Sequence, residues 1–110
     1  VQITARRNDQ TTIFNLRGDI DFANSPEVRQ SLLREIRESR VPRVVVNLSG
    51  VHYIDSSGVA SLVEGLKASR DLGSRFILVG LSTAAREVLQ LSRLLKVFEI
   101  YGSEEEALAH

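Results

Sequence analysis

The chain contains no cysteine, which removes disulfides, thiolate zinc sites and cysteine nucleophiles from consideration. A cysteine-free composition also suits a reducing compartment. Neither sign of charge is in excess: 14 basic and 14 acidic residues give a formal net charge of +0 at pH 7. A nucleic-acid binder that works through bulk electrostatics carries a basic surplus. Two tyrosines, four phenylalanines and no tryptophan leave little for base stacking. No apolar run approaches the roughly 20 residues of a membrane-spanning helix. The opening VQITARRNDQTTIF has no basic-then-apolar leader pattern. These absences predict a cytoplasmic protein with no direct nucleic-acid partner and no membrane insertion.

Histidine is nearly missing as well. His52 and His110 are the only two, and neither stands in a His-x-x-x-His pair or beside another ligand type. Metal sites need several converging donors, so neither a metal nor any other cofactor is expected. A phosphate-cradling loop fails for a similar reason. The pattern requires a lysine followed by serine or threonine at a helix start, and DSSGVAS has no lysine before Lys67.

What remains is a chain of 110 residues, the modal size of one domain and enough for one core. Residues 1–110 are read as a single domain. VQITARRN alternates apolar and polar residues as a strand does, Asp9 and Gln10 mark a turn, and TTIFNLRG continues as a second strand, so a hairpin is expected. Ser25 and Pro26 then read as a helix start, serine at the N-cap and proline at the first helical position. Val28, Leu32 and Ile36 recur at four-residue spacing on a helix ending near Arg40.

RVVVNLSG carries β-branched residues at 44–46, the signature of a strand covered on both faces. A second helix follows through Val59, Leu62, Val63 and Leu66 to a stop at Gly73. RFILVG is another buried strand. STAAREVLQLSRLL predicts a third helix with Val88, Leu91 and Leu95 on one stripe. KVFEIY is a short strand, and Ser103 with Glu106 has capping-box spacing before a last helix. Strand–helix alternation implies parallel pairing with right-handed crossovers. The opening hairpin makes the α/β sheet mixed.

The unusual stretch is HYIDSSGVASL, at a strand-to-helix junction. A nucleophile elbow would need Gly-x-Ser-x-Gly, but Asp55 stands where the first glycine belongs. No general base is evident either, since His52 lies only five residues before Ser57 and His110 is terminal. The chain is therefore read as a non-enzyme. Helix capping explains one residue of the motif, Asp55 or Ser56, at about 1 kcal/mol. It leaves a hydroxyl and Gly58 over. With Ser56 as cap, Ser57 lies in the first turn, where free amides and the helix dipole favour an anion. A phosphate there adds about −1.5 to −2 charges without melting the helix. Gly58, without a side chain, would let a partner approach Ser57 closely.

From end to end the chain resembles a STAS domain, the fold of bacterial anti-sigma factor antagonists. Three blocks carry the likeness in order: FNLRGDIDFANSPEVRQSL, with the family's Gly-x-x-Asp loop; VVVNLSGVHYIDSSGVASLVEGLK, with Asp-Ser-Ser-Gly at a helix start; and FILVGLSTAAREVLQLSRLLKVFEIYGSEEEAL. The resemblance implies a mixed four- to five-stranded sheet flanked by about four helices. It further implies an antagonist that binds an anti-sigma factor with serine-kinase activity, is switched off by phosphorylation of the motif's second serine, and is restored by a serine phosphatase. By position Ser57 is the phosphoacceptor. Asp21, Asn24, Ser25, Asp55, Ser56 and Gly58 frame the partner surface, with Asn24 and Ser25 also assigned to capping. The family's other use that fits is a regulatory subunit of an ABC-type lipid transporter, bound to its ATPase. Cytosolic tails of anion transporters and stress-signalling assemblies are further settings in which the domain occurs.

Overall fold

The computed structural model describes residues 1–8 and 10–110. Its elements run β1 (Gln2–Arg7), β2 (Thr11–Ile20), α1 (Ser25–Ser39), β3 (Arg43–Ile54), α2 (Ser56–Asp71), β4 (Arg75–Val79), α3 (Thr83–Leu91), β5 (Glu99–Tyr101) and α4 (Glu104–Ala109). This is the order the sequence pattern predicts. The five strands form one mixed α/β sheet in the order β1-β2-β3-β4-β5. β1 pairs antiparallel with β2, from Gln2 opposite Arg17 to Arg7 opposite Thr12. The other three pairings are parallel, as crossovers through helices require. Of the expected hairpin turn, Asp9 lies outside the described residues. Asn8 Oδ1 accepts from the Gln10 and Thr11 amides at 3.2 and 3.0 Å.

Strand alternation sorts the core into two clusters. Phe14, Leu16, Val44, Val46 and Leu78 join Val28, Leu32 and Ile36 of α1, Val59, Leu62 and Leu66 of α2, and Ala85 and Leu89 of α3. On the opposite face Ile13, Val45, Ile77 and Val79 meet Ala107 of α4. The run at 44–46 is buried on both faces because its neighbours belong to different clusters.

Three local expectations are corrected. The N-cap position of α1 is Asn24, not Ser25, and no side chain caps the helix there. The Asn24 carboxamide instead turns back to accept from the Asp21 amide at 2.9 Å. Pro26 does sit at the helix start. In α3 the buried residues are Ala85 and Leu89, while Leu91 is 84% exposed and Leu95 lies beyond the helix end. The cause is Arg93, whose φ of 59° ends the helix in a left-handed turn, with Leu94 N–H donating to Leu89 carbonyl at 2.9 Å and Arg93 N–H to Gln90 carbonyl at 3.0 Å. These are the two bonds of a Schellman closure. In α4, Ser103 Oγ accepts from Glu106 N–H at 3.2 Å, but the Glu106 carboxylate reaches Gly102 N–H rather than Ser103.

β2 and β3 outrun their neighbours. β4 pairs with β3 only from Arg43 to Asn47, whereas β2 follows it to Ile54 with two register shifts on the way. The long pair carries the β2–α1 and β3–α2 junctions out to one end of the molecule, side by side.

Candidate functional site

Asp55 ties these two junctions together. Its backbone is extended (φ −106°, ψ −173°), the conformation of an N-cap whose side chain can fold over the first turn. Oδ1 accepts from Ser57 N–H at 2.9 Å and Gly58 N–H at 3.1 Å. Oδ2 accepts from Phe22 N–H in the other junction at 3.0 Å. The Asp55 amide donates to the Ile20 carbonyl at 3.2 Å. Of the two candidate caps, Asp55 is therefore the one used, and Ser56 becomes the exposed first residue of α2.

The facing loop is equally fixed. Asp21 Oδ1 accepts from the amides of Ala23 and Asn24 at 3.0 and 3.2 Å, and its carbonyl accepts from Ser25 N–H at 2.8 Å. Together with the Asn24 bond back to Asp21, this closes a tight turn. The turn projects Phe22 into solvent with 80% of its surface exposed, on a backbone held from both sides. Nothing in the sequence pattern singled out Phe22. The available signal was a large aromatic in an otherwise polar loop between Asp21 and Ala23.

Ser57 is half-buried on the rim between α1 and α2. Its N–H belongs to Asp55, and its carbonyl accepts from Ser61 Oγ at 3.1 Å. Among the described residues no hydrogen bond claims its hydroxyl. The Ser61 hydroxyl also lies 3.1 Å from the Ser25 carbonyl, so one proton is shared between the two helices. Ser25 is itself buried and serves this helix contact. A shallow depression of about 370 Å³ opens beside Ser57, lined also by Ser25, Pro26, Arg29, Ala60, Ser61 and Glu64. A second, of about 400 Å³, begins at Ser56 and runs along Val59, Val63 and Leu94.

The structure gives Gly58 a different task from opening access to Ser57. It is buried, and a Cβ on it would stand 2.6 Å from Ile54 Cγ1, 2.8 Å from the Ile20 carbonyl oxygen and 2.9 Å from Ile20 Cγ2. Glycine lets the start of α2 lie directly on the ends of β2 and β3. Of the residues expected at the surface, the geometry brings Asp21, Asp55, Ser56 and Ser57 to one rim. Asn24 and Ser25 hold the loop and helices beneath it.

The perturbed carboxylates lie elsewhere. Arg7 holds the Glu35 carboxyl below its usual range, with help from the Thr12 hydroxyl. Arg75 does the same for Glu99, assisted by Tyr101, and the Asn47 carboxamide does so for Glu104, assisted by Arg6. These are ties between elements, away from Ser57. His52 faces Val1, Gln2, Arg17 and Gly18, and His110 stacks on Tyr101 with ring centroids 5.1 Å apart. Neither lines the depression beside Ser57. Among the described residues no group of three or more His, Cys, Asp or Glu converges to hold a metal. Among the described residues no helix is long and apolar enough to cross a membrane.

Comparisons with known proteins bear on the family and the fold. The model of the STAS domain family matches residues 2–107. The anti-sigma-B factor antagonist of Listeria monocytogenes is 31% identical over 107 residues, covering 96% of this chain and 91% of that one. A solved anti-sigma factor antagonist from Mycobacterium paratuberculosis aligns with a TM-score of 0.87 at 24% identity, over 98% of this chain and 91% of its own. The Bacillus cell fate determinant SpoIIAA, solved in its phosphorylated form, aligns with a TM-score of 0.75 at 24% identity, over 98% and 97% of the two chains. At these identities the two structures show the fold.

Proposed function

The chain belongs to the STAS domain family, and from that premise we propose that it is an anti-sigma factor antagonist whose partner surface is centred on Ser57 and is switched off by phosphorylation there. The observation that carries the reading is the state of Ser57: its hydroxyl is unclaimed, on a backbone that Asp55 pins to both junctions. The phosphorylated SpoIIAA structure shows that a neighbour of this fold accepts the modification. The unphosphorylated chain binds an anti-sigma factor that is also a serine kinase. That kinase transfers the γ-phosphoryl of ATP to Ser57 Oγ, the hydroxyl proton leaves, and ADP departs.

A phosphate brings about −1.5 to −2 charges to a rim that already holds Asp55 and Asp21. A partner packed there must then desolvate a crowded anion, and it dissociates. A serine phosphatase restores the binding form. We assign the protein to the cytoplasm as a single-domain regulator without catalysis of its own. Phe22, exposed and tied through its amide to Asp55, supplies the apolar anchor of the interface.

The test is incubation of the chain with its cognate anti-sigma kinase and ATP, read by intact mass and by binding. One phosphate should appear, and Ser57→Ala should abolish it while keeping partner binding. Ser57→Asp should weaken binding. Phe22→Ala should lose about 30-fold or more in affinity, as a truncated aromatic anchor does, with stability within about 0.5 kcal/mol of the parent. No mass gain, or equal partner affinity for Ser57→Ala and Ser57→Asp, overturns the switch. Unchanged affinity in Phe22→Ala removes the anchor.

A further inference from the structure

We infer that Arg29 is the counter-ion of a phosphate on Ser57, held across the groove between α1 and α2; this rests on Ser57 as phosphoacceptor. Arg29 and Ser57 belong to different helices yet line one depression, with Ser25, Ser61 and Glu64. The helices are fastened at this place by the shared Ser61 hydroxyl. Side chains on a helix slope towards its N-terminus. Arg29, one turn into α1, therefore extends back towards the mouth where Ser57 sits. It is exposed and takes no part in the described ion pairs, Arg6–Glu104, Arg7–Glu35 and Arg75–Glu99.

The surroundings of the phosphate make this cation decisive. Glu64 on α2 lines the same depression, and the carboxylates of Asp55 and Asp21 stand at the adjoining junctions. The Ser57 and Gly58 amides, which an anion at a helix start would otherwise take, are already bonded to Asp55 Oδ1. Among the described residues Arg29 is the only cation lining the depression. Its planar fork suits phosphate oxygens. In the phosphorylated chain Arg29 turns over the groove and offsets part of the new charge, so that the modified state is stable without displacing the Asp55 cap.

The test needs no kinase. Phosphoserine is installed at position 57 during translation, and its second ionisation is followed by the phosphorus-31 chemical shift against pH. A cation about 6 Å away in aqueous surroundings lowers a neighbouring pKa by about 0.5 unit. The phosphate should therefore titrate about 0.5 unit higher in Arg29→Gln than in the unsubstituted phosphoprotein. Arg29→Lys should retain most of the effect. Glu64→Gln should shift the titration downwards, and Arg37→Gln, in the last turn of α1, should leave it in place. An unchanged titration in Arg29→Gln, or equal shifts in Arg29→Gln and Arg37→Gln, overturns the assignment. Because the phosphate is supplied synthetically, a chain that no kinase modifies would sink the proposed function while leaving this measurement intact.

Discussion

Replacing Gly58 by alanine separates two explanations of the glycine in the Asp-Ser-Ser-Gly motif. The added methyl would sit 2.6 Å from Ile54 Cγ1 and 2.8 Å from the Ile20 carbonyl oxygen, both well inside normal contact. Ile54 can turn its side chain only within a filled core, and the Ile20 carbonyl is tied to the Asp55 amide. The start of α2 must therefore move outwards. Overpacking of this kind costs about 1–3 kcal/mol, and the better helix propensity of alanine returns at most about 1 kcal/mol. The net expectation is a loss of about 1–2 kcal/mol. For a chain of 110 residues each kcal/mol moves Tm by about 4 °C, so Tm should fall by about 4–8 °C in a calorimetric scan, with a matching shift in the urea midpoint. If the glycine instead serves only to admit a partner to Ser57, Gly58→Ala would keep or raise its Tm and lose binding alone. That outcome would refute the packing argument.

Two further perturbations test the hydrogen-bond and charge assignments. Asp55→Ala removes the acceptor of three amides and should cost about 1–2 kcal/mol in urea unfolding, the upper range for a helix cap. Asp55→Asn, which keeps one carbonyl oxygen, should cost less, and equal stability of the alanine variant and the parent would show that the cap contributes nothing. Glu35, held below the usual 4.5 by Arg7, stabilises the fold fully above that pH, and the contribution is lost as pH falls through its folded-state pKa. The parent should therefore be more stable than Glu35→Gln at pH 7, and the gap should narrow as the pH falls below 4.5. A gap that stays constant across that window would place the effect in packing rather than in the ion pair with Arg7.

The parts of the fold that sequence reveals are those fixed by local periodicity. Strand–helix alternation gave the element order, the β-branched run at 44–46 showed a strand covered on both faces, and Ser103 was correctly read as a cap because its partner Glu106 is three residues away. The end of α3 was less legible because its left-handed turn falls on Arg93 rather than on a glycine. The stripe through Leu91 and Leu95 failed for that reason, since the helix stops before the period can continue. The site was legible as a motif but not as a constellation. Asp55 and Phe22 are 33 residues apart when they bond, and Arg29 and Ser57 line one depression only because α1 and α2 pack together. The packing of Gly58 against Ile54 and Ile20 was not legible, because a missing side chain says nothing of which neighbour occupies the space.

Under the proposed phosphorylation of Ser57, one carboxylate lets the site switch without rearranging. Asp55 secures the α2 start through Ser57 and Gly58, and the β2–α1 loop through Phe22. Movement of either junction would break bonds in both, so the rim behaves as one rigid piece. A phosphate on Ser57 projects from this piece without using any of its bonds, because the amides it might compete for are already satisfied. The modification then changes charge far more than shape. A partner that anchors on Phe22 and closes over Ser57 finds its apolar contact in place but meets an anion it must desolvate. On this argument the switch lies in the energetics of docking, and the parent and Ser57-phosphorylated chains should share backbone amide shifts everywhere except at the rim around residues 21–25, 29 and 55–64.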